Sequence, residues 1–164
     1  MKKYSKNIFG KTVAGIALGL AVITILSLAY IFTLQLSWKN ARTQLAPQIA
    51  MADEEYPEIS MGDRRTVGDY LFMNYLKSYI SRSGSSTAIN FKQIPEAENS
   101  LKIYFKDTTV TLTPYDEEGR YINVSWKLDG KKYHYTIKGI QKYKNIENVF
   151  DMAEERENER RSEQ

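Results

Sequence analysis

The sequence predicts an α+β protein. In chain order we expect a single N-terminal transmembrane helix with an amphipathic stalk, a helix packed on a roll-like meander of four to five antiparallel strands, and a C-terminal helix or tail. Two observations predict this class. Residues 12–38 contain no charged side chain, and the later apolar pattern changes from a helical period before residue 83 to strict alternation beyond residue 87. The chain outside the anchor and its flanks is about 110 residues, which suits one small domain.

The first element is long enough to cross a bilayer. As a helix, residues 13–36 would span about 36 Å, against a hydrocarbon thickness of roughly 30 Å. Basic residues are concentrated before this segment, at Lys2, Lys3, Lys6 and Lys11. Because cytoplasmic flanks carry the excess of Lys and Arg, we expect residues 1–11 in the cytoplasm, a single-pass anchor at 12–38 in the cell membrane and an extracytoplasmic C-terminal domain. Trp38 would then lie at the membrane–water interface.

A cleavable signal peptide is the alternative interpretation of this segment. Residues 13–26 have the length of a signal-peptide apolar region, and Ser27-Leu28-Ala29 fits a small-x-small cleavage site. Apolar residues continue from Tyr30 to Trp38, however, and a mature soluble chain would expose them or have to bury them. This continuation favours retention as a signal-anchor.

Small residues on the anchor form a candidate helix-packing site. Gly15 and Gly19 make a GxxxG pattern, and Ala14 and Ala17 lie beside them. The pattern predicts close approach of another membrane helix. The alternative is that such spacings arise without consequence, because Gly and Ala are common in membrane helices.

The residues after the anchor predict a stalk and a linker at 39–62, an extracytoplasmic α+β domain at 63–150 and a charged tail at 151–164. Apolar side chains recur every three or four residues at Ala41, Leu45, Ile49 and Ala52, which is typical of an amphipathic helix. Pro47 would kink that helix. An acidic stretch from Asp53 then indicates a turn before the domain.

The domain should open with a helix over residues 66–82. Thr66 and Asp69 have the spacing of a capping box. Two i, i+4 rows make a wide core-facing stripe, Val67, Leu71, Tyr75 and Tyr79 in one row and Phe72, Leu76 and Ile80 in the other.

Strands follow the helix. Alternation predicts them around Ile89 and Phe91, from Leu101 to Phe105, at Val110 and Leu112, from Ile122 to Leu128, and at Tyr133, Tyr135 and Ile137. The parity of the apolar positions changes near Asp107, which predicts a tight hairpin there. Asp129-Gly130 predicts a two-residue hairpin turn. Ile146, Val149 and Phe150 should dock the first turns of a final helix.

The composition excludes several chemistries. The chain has no cysteine and a single histidine, His134, so disulfides, thiolate ligands and a zinc site of usual composition are excluded. Glycine-rich phosphate-binding motifs are missing, and a net charge of +3 gives no reason to expect nucleic-acid binding. We therefore expect a protein that is not an enzyme, with no catalytic residue, no cofactor and no metal.

The outward sheet face is the predicted partner surface. It is rich in Thr, Lys and Tyr, and its members are Lys102, Tyr104, Lys106, Tyr121, Lys127, Lys132, His134 and Lys138. A plain solvated face with protective lysines is the alternative interpretation.

Together these features favour a membrane-anchored, non-enzymatic structural or adaptor subunit of a larger membrane or cell-envelope assembly. Its expected partners are the lipid bilayer and other membrane or envelope proteins, among them a second copy of itself. Two alternatives stay open. One is an extracytoplasmic sensor or a module that binds a ligand or peptidoglycan fragment among Tyr70, Tyr75, Tyr79, Tyr133 and Tyr135. The other is a pilin-like subunit, which usually has an acidic residue just inside the apolar helix that residues 11–36 lack.

Overall fold

A computed structural model of the protein describes residues 2–51, 55–85 and 95–163. Within these residues it contains three helices and seven strands, so the predicted α+β class is confirmed, with more strands than the four or five expected. The strand predicted around Ile89 and Phe91 lies outside the described residues. The elements are α1 Lys2–Met51, β1 Glu58–Met61, β2 Arg64–Val67, α2 Tyr70–Arg82, β3 Gly84–Ser85, β4 Leu101–Tyr104, β5 Thr109–Pro114, β6 Tyr121–Leu128, β7 Lys131–Lys138 and α3 Tyr143–Ser162.

The chain divides into two compact units, residues 1–36 and residues 37–164. In the first unit, the apolar side chains from Val13 to Leu36 are mostly exposed. By length and composition, α1 is long and apolar enough to cross a membrane. Its helical backbone begins at Lys2, so it includes most of the predicted basic flank. We call residues 37–164 the domain.

The seven strands form one antiparallel sheet in the order β2-β1-β4-β5-β6-β7-β3. The meander β4 to β7 is as predicted. Asp129 and Gly130 join β6 to β7 with φ of +50° and +75°, the left-handed conformations that a tight type I′ hairpin turn requires. The hairpin β1–β2 was not predicted, because its strands are only four residues long and lie where the sequence suggests a linker and a helix start.

Alternate residues of the meander point into the core. Leu101, Ile103, Leu112, Ile122 and Val124 are fully buried. The three helices add their own buried side chains to the same cluster, at Leu45 and Ile49 in α1, Leu76 and Tyr79 in α2, and Ile146 and Phe150 in α3. The sheet therefore has one face covered by helices. Residues of the opposite parity form its second face, the outward face, on which Thr111, Thr113, Asn123 and Thr136 are also buried.

The last turns of α1 belong to the domain core and not to a free stalk. Trp38 is only 1% exposed, and Ala41 and Leu45 are buried as well. The indole Nε1 of Trp38 donates a hydrogen bond to the Ser83 carbonyl at 3.1 Å, and its ring meets that of Trp126 edge-on at 6.4 Å. The expected interfacial position of Trp38 is thus replaced by a core position. The reason is that the apolar side of the amphipathic segment predicted as a stalk packs against the apolar face of the sheet.

One further boundary differs from the prediction. Thr66 is a buried residue of β2, and Asp69 caps α2 in its place. The predicted C-terminal helix is present and continues through Ser162, and Ala153 in its charged part is fully buried, which was not expected. Mixed charges usually indicate solvated chain, but here one side of the helix packs on the domain.

Candidate interaction surfaces

Exposed apolar side chains of the domain gather on and beside α2 and α3. Among its described residues, five large apolar side chains are at least 39% exposed. Tyr70 and Leu71 open α2, Met152 lies in α3, Ile140 lies just before α3, and Tyr56 lines the same cleft as Tyr70. We call this surface the α2–α3 face.

Polar contacts fix the antiparallel alignment of α2 and α3 at both ends. At the start of α2, Arg156 donates two hydrogen bonds to the Asp69 carboxylate, the one from Nη2 being 3.0 Å long. Further along α2, the Tyr75 hydroxyl donates to Oε1 of Gln141 at 3.0 Å and the Tyr79 hydroxyl donates to the Gln141 carbonyl at 3.1 Å. The first turn of α2 therefore lies beside the second half of α3.

The Asp69 carboxylate joins the two helices and also caps one of them. Its Oδ1 accepts a hydrogen bond from the backbone N–H of Phe72 at 3.0 Å. Partial burial alone would raise the pKa of Asp69, but the hydrogen bonds from Arg156 and Phe72 outweigh it and hold the pKa below its ordinary value of 3.8. The carboxylate thus stays ionised at neutral pH.

The rotation of α2 about its axis leaves part of the predicted core stripe outside. Phe72, Leu76 and Ile80 are buried as expected, whereas Leu71 is 56% exposed and Tyr75 is half-buried. The prediction that Leu71 faces the core was wrong. The two predicted rows together are wider than the surface against which α2 packs, and the buried arc is centred on Leu76.

A shallow cleft of about 400 Å³ lies at one end of the α2–α3 face. Tyr56, Tyr70 and Leu71 supply its apolar lining. Its charged lining is Asp69, Arg156, Glu159, Arg160 and Glu163. Three carboxylates against two guanidinium groups leave this end of the face acidic.

The predicted partner surface is assembled on the outward face of the sheet. The strand register aligns Lys102, Thr111, Ser125 and His134 across β4 to β7. Tyr104, Tyr121, Lys127, Lys132 and Lys138 share their parity, and Lys106 lies in the β4–β5 connection. These residues therefore lie on one face, as the alternation predicts, with Lys106 at its margin.

Several groups on this sheet face have partners within the domain. Lys102 Nζ lies 2.6 Å from a carboxylate oxygen of Glu96. The hydrogen bond that Lys102 donates to this carboxylate raises the pKa of Lys102. The Tyr104 hydroxyl is 3.1 Å from Ser60 Oγ. Lys127, Lys132 and Lys138 are exposed to solvent. Their charges are the part of the surface that a partner would meet first.

A second open cleft lies where the β1–β2 turn meets α3. Arg64 bridges from this turn to the carboxylates of Asp151 and Glu154, at 2.9 Å each. The Asn99 amide donates to Glu147 at 2.8 Å. The charged groups here serve as ties between the sheet and α3.

The five tyrosines considered for a ligand site lie in different environments. Tyr70 is exposed on the α2–α3 face, and Tyr75 and Tyr79 turn toward Gln141. Tyr133 stacks on Trp126 at 4.8 Å, and Tyr135 lies 5.3 Å from the Trp38 ring. Four of them thus help to pack the interior or tie its elements.

Among the described residues, the side chains considered for catalysis or metal binding do not come together in one site. His134 is half-buried on the outward sheet face, as the alternation predicts. Within the described parts of the chain, no group of three or more His, Cys, Asp or Glu side chains is close enough to hold a metal ion. We assign no catalytic or cofactor role to any of these residues.

In the apolar segment of α1, the small residues present an open surface. An added Cβ at Gly15 or Gly19 would meet nothing within 4 Å, and Ala14 and Ala17 are exposed. The helix-packing role predicted for them stays a prediction. Comparison of the chain with family models, with characterised proteins and with solved structures found no match to any of them.

Proposed function

We propose that this protein is a single-pass, membrane-anchored and non-enzymatic subunit of a membrane or cell-envelope assembly. Its anchor lies in the cell membrane with the N-terminus in the cytoplasm, and its domain acts outside the membrane as a structural or adaptor module. The outward sheet face, with its exposed Lys127 and Lys132, is the surface for another membrane or envelope protein.

The observation that carries this proposal is the burial of Trp38. The apolar run ends at Leu36, and two residues later Trp38 is 1% exposed in the domain core. Two residues of extended chain span at most about 7 Å. If the apolar run crosses a bilayer, connectivity alone therefore keeps the start of the domain near the membrane surface, which suits a module that binds other membrane or envelope proteins.

Thiol labelling of the full chain tests the orientation. The chain has no cysteine, so single substitutions provide unique reactive groups. We expect a membrane-impermeant maleimide to label a Lys132→Cys chain in intact spheroplasts, and a Lys6→Cys chain only after permeabilisation. The reverse pattern, or recovery of the labelled chain as a shortened soluble form, would contradict the proposed topology.

Site-specific photocrosslinking tests the adaptor role. A photoreactive residue at Lys127 or Lys132 should give a discrete adduct with another protein in the membrane fraction. Glu117 provides the matched control, because it is exposed in the β5–β6 connection, at the opposite end of β6 from Lys127. Equal adducts at all three positions, or a lone monomer after gentle purification from native membranes, would contradict a specific partner on the sheet face.

A further inference from the structure

The α2–α3 face has the composition of an interface core. Its exposed apolar side chains include Leu71 and Met152, and the half-buried Tyr75 lies between α2 and the start of α3. Asn74, three residues after Leu71, and Asn148, four residues before Met152, are exposed and uncharged. Glu155, three residues after Met152 toward the acidic end, is exposed and charged. Cores of protein interfaces are enriched in aromatic residues and Met and depleted of charge, whereas lysine-rich surfaces such as the sheet face are not.

Charge on this face is separated toward its two ends. Lys142 is exposed immediately before α3, next to Gln141, which binds Tyr75. At the other end, Glu159 and Glu163 line the cleft beside Leu71. Arg156 there is paired with Asp69, and Arg160 lies 3.1 Å from Glu157, so the excess charge is negative.

Met152 lies midway between the two charged ends. It is ten residues after Lys142 and seven to eleven residues before the two glutamates, which corresponds to about 10–16 Å along the helix in either direction. The side chain of Met152 is one helical turn before that of Arg156, and Arg156 binds Asp69 two residues before Leu71. Met152 therefore lies near the middle of the face, and Leu71 lies toward its acidic end, beside the cleft.

We infer that the α2–α3 face binds the same face of a second copy of this chain. The two copies are related by a twofold axis that lies in the interface, passes near Met152 and runs perpendicular to α3. This arrangement makes the two α3 helices antiparallel, so that Lys142 of each copy approaches Glu159 and Glu163 of the other. A parallel arrangement would bring like charges together, and the separation of charge therefore selects the antiparallel one.

The size of the face sets the expected strength of the dimer. A helix of 20 residues is about 30 Å long, and two helices side by side are about 20 Å wide, which gives about 600 Å² for each copy. Stable dimers bury about 800 Å² on each partner. The association should be weak when the protein is dilute in detergent, and strong when both copies are confined to one membrane at high effective concentration.

Disulfide crosslinking of the full chain in membranes tests this inference. Met152 is 52% exposed and lies near the proposed axis, so a Met152→Cys chain should form a dimer of twice the chain mass under mild oxidation. The matched control is Glu117→Cys, which places an exposed thiol in the β5–β6 connection, outside both proposed binding surfaces. We expect at least a fivefold higher dimer yield from Met152→Cys at equal labelling by a maleimide.

Charge reversal in the Met152→Cys background tests the antiparallel geometry. Lys142→Glu alone, or Glu159→Lys with Glu163→Lys, should lower the dimer yield several-fold by placing like charges together. The chain with all three changes should recover the yield, because opposite charges meet again. Lys142 makes no side-chain capping bond to α3, so its replacement leaves the helix intact.

Each contrary result overturns the inference. Equal dimer yields from Met152→Cys and Glu117→Cys would show random collision, and a Met152→Cys adduct with a different protein would assign the face to that protein. A reactive thiol at residue 152 that forms no dimer would exclude a second copy. A dimer yield insensitive to the charge reversals would exclude the antiparallel arrangement. None of these outcomes depends on the sheet-face adducts or the topology labelling that test the proposed function.

Discussion

The two outer faces of the domain have opposite character. The outward sheet face exposes lysines such as Lys127 and Lys132 at the ends of its strands, whereas the α2–α3 face exposes Leu71 and Met152 with charge near its ends. Exposed lysines on strands keep sheets soluble and discourage edge pairing. Exposed apolar side chains on neighbouring elements cost solubility unless something covers them.

This difference separates two kinds of recognition. A lysine-rich face attracts an acidic partner by long-range electrostatics, and such binding weakens with salt. A face with an apolar centre binds by excluding water, and its charges set orientation more than strength. One small domain therefore offers two surfaces that separate mutations can distinguish.

Both faces depend on the core between them, and Trp38 is its most consequential residue. We expect Trp38→Ala to lower the free energy of unfolding of the domain by about 3–5 kcal/mol, because a buried indole and its contacts with Trp126 and Tyr135 are lost. Urea unfolding of the detergent-solubilised chain, followed by Trp126 fluorescence, measures it. Phe32→Ala in the anchor is the control and should leave the domain's transition unchanged.

Asp69 holds the helix layer in alignment, and its replacement should have the next largest effect. Asp69→Ala removes the α2 cap and the pair with Arg156, and should cost about 2 kcal/mol. Arg65→Ala is the control, because its pair with Glu58 is exposed and should contribute less than about 0.5 kcal/mol. Equal losses in the two variants would show that the Asp69 contacts do not stabilise the helix layer.

The same carboxylate should make the stability of the helix layer depend on pH. The folded pKa of Asp69 lies below its ordinary value of 3.8, so its contribution is fully present above that value and is lost as the pH falls through the folded pKa. Asp69→Asn keeps a capping side chain but removes this titration. The stability difference between the parent chain and Asp69→Asn should be constant above about pH 5 and shrink below about pH 4. A difference that grows on acidification would contradict the assigned sign.

Substitutions on the two outer faces should have the smallest effects on folding. Leu71→Glu and Lys127→Glu both alter exposed side chains, and each should change the free energy of unfolding by less than about 0.5 kcal/mol. Their binding effects should differ, because only Leu71→Glu removes an exposed apolar side chain from the α2–α3 face. Dimer yield in the Met152→Cys background measures that difference. Equal dimer yields from the Leu71→Glu and Lys127→Glu chains would contradict a separate role for the α2–α3 face.

Local patterns were sufficient to predict much of the fold. The Asp129-Gly130 turn, the alternation from Ile122 to Leu128 and the docking of Ile146 and Phe150 all agree with the structure, because turn chemistry and periodicity act between near neighbours. The short strands β1 and β2 were missed. Four-residue segments carry too little alternation to be distinguished from a linker, and it is pairing with β4 that stabilises them.

The outward sheet face was also accessible to sequence reasoning, since strand parity alone places its lysines together. The α2–α3 face was not. Met152 is an isolated apolar residue in a charged stretch, so the sequence does not indicate that it belongs to an exposed apolar surface. The apolar rows of α2 do not reveal which edge stays exposed. The unusual width of those rows is the one signal that could have indicated a second surface.

The sequence by itself determined the apolar N-terminal segment, the α+β class, and the strand alternation and Asp129-Gly130 turn of the meander, because each follows from periodicity, charge and turn residues along a short stretch of chain. The tertiary structure alone decided that Trp38 closes the core, that Asp69 meets Arg156, and that Leu71 remains outside. These outcomes depend on how far each helix rotates as it packs. That rotation is set by contacts between residues distant in the chain, which no local pattern records.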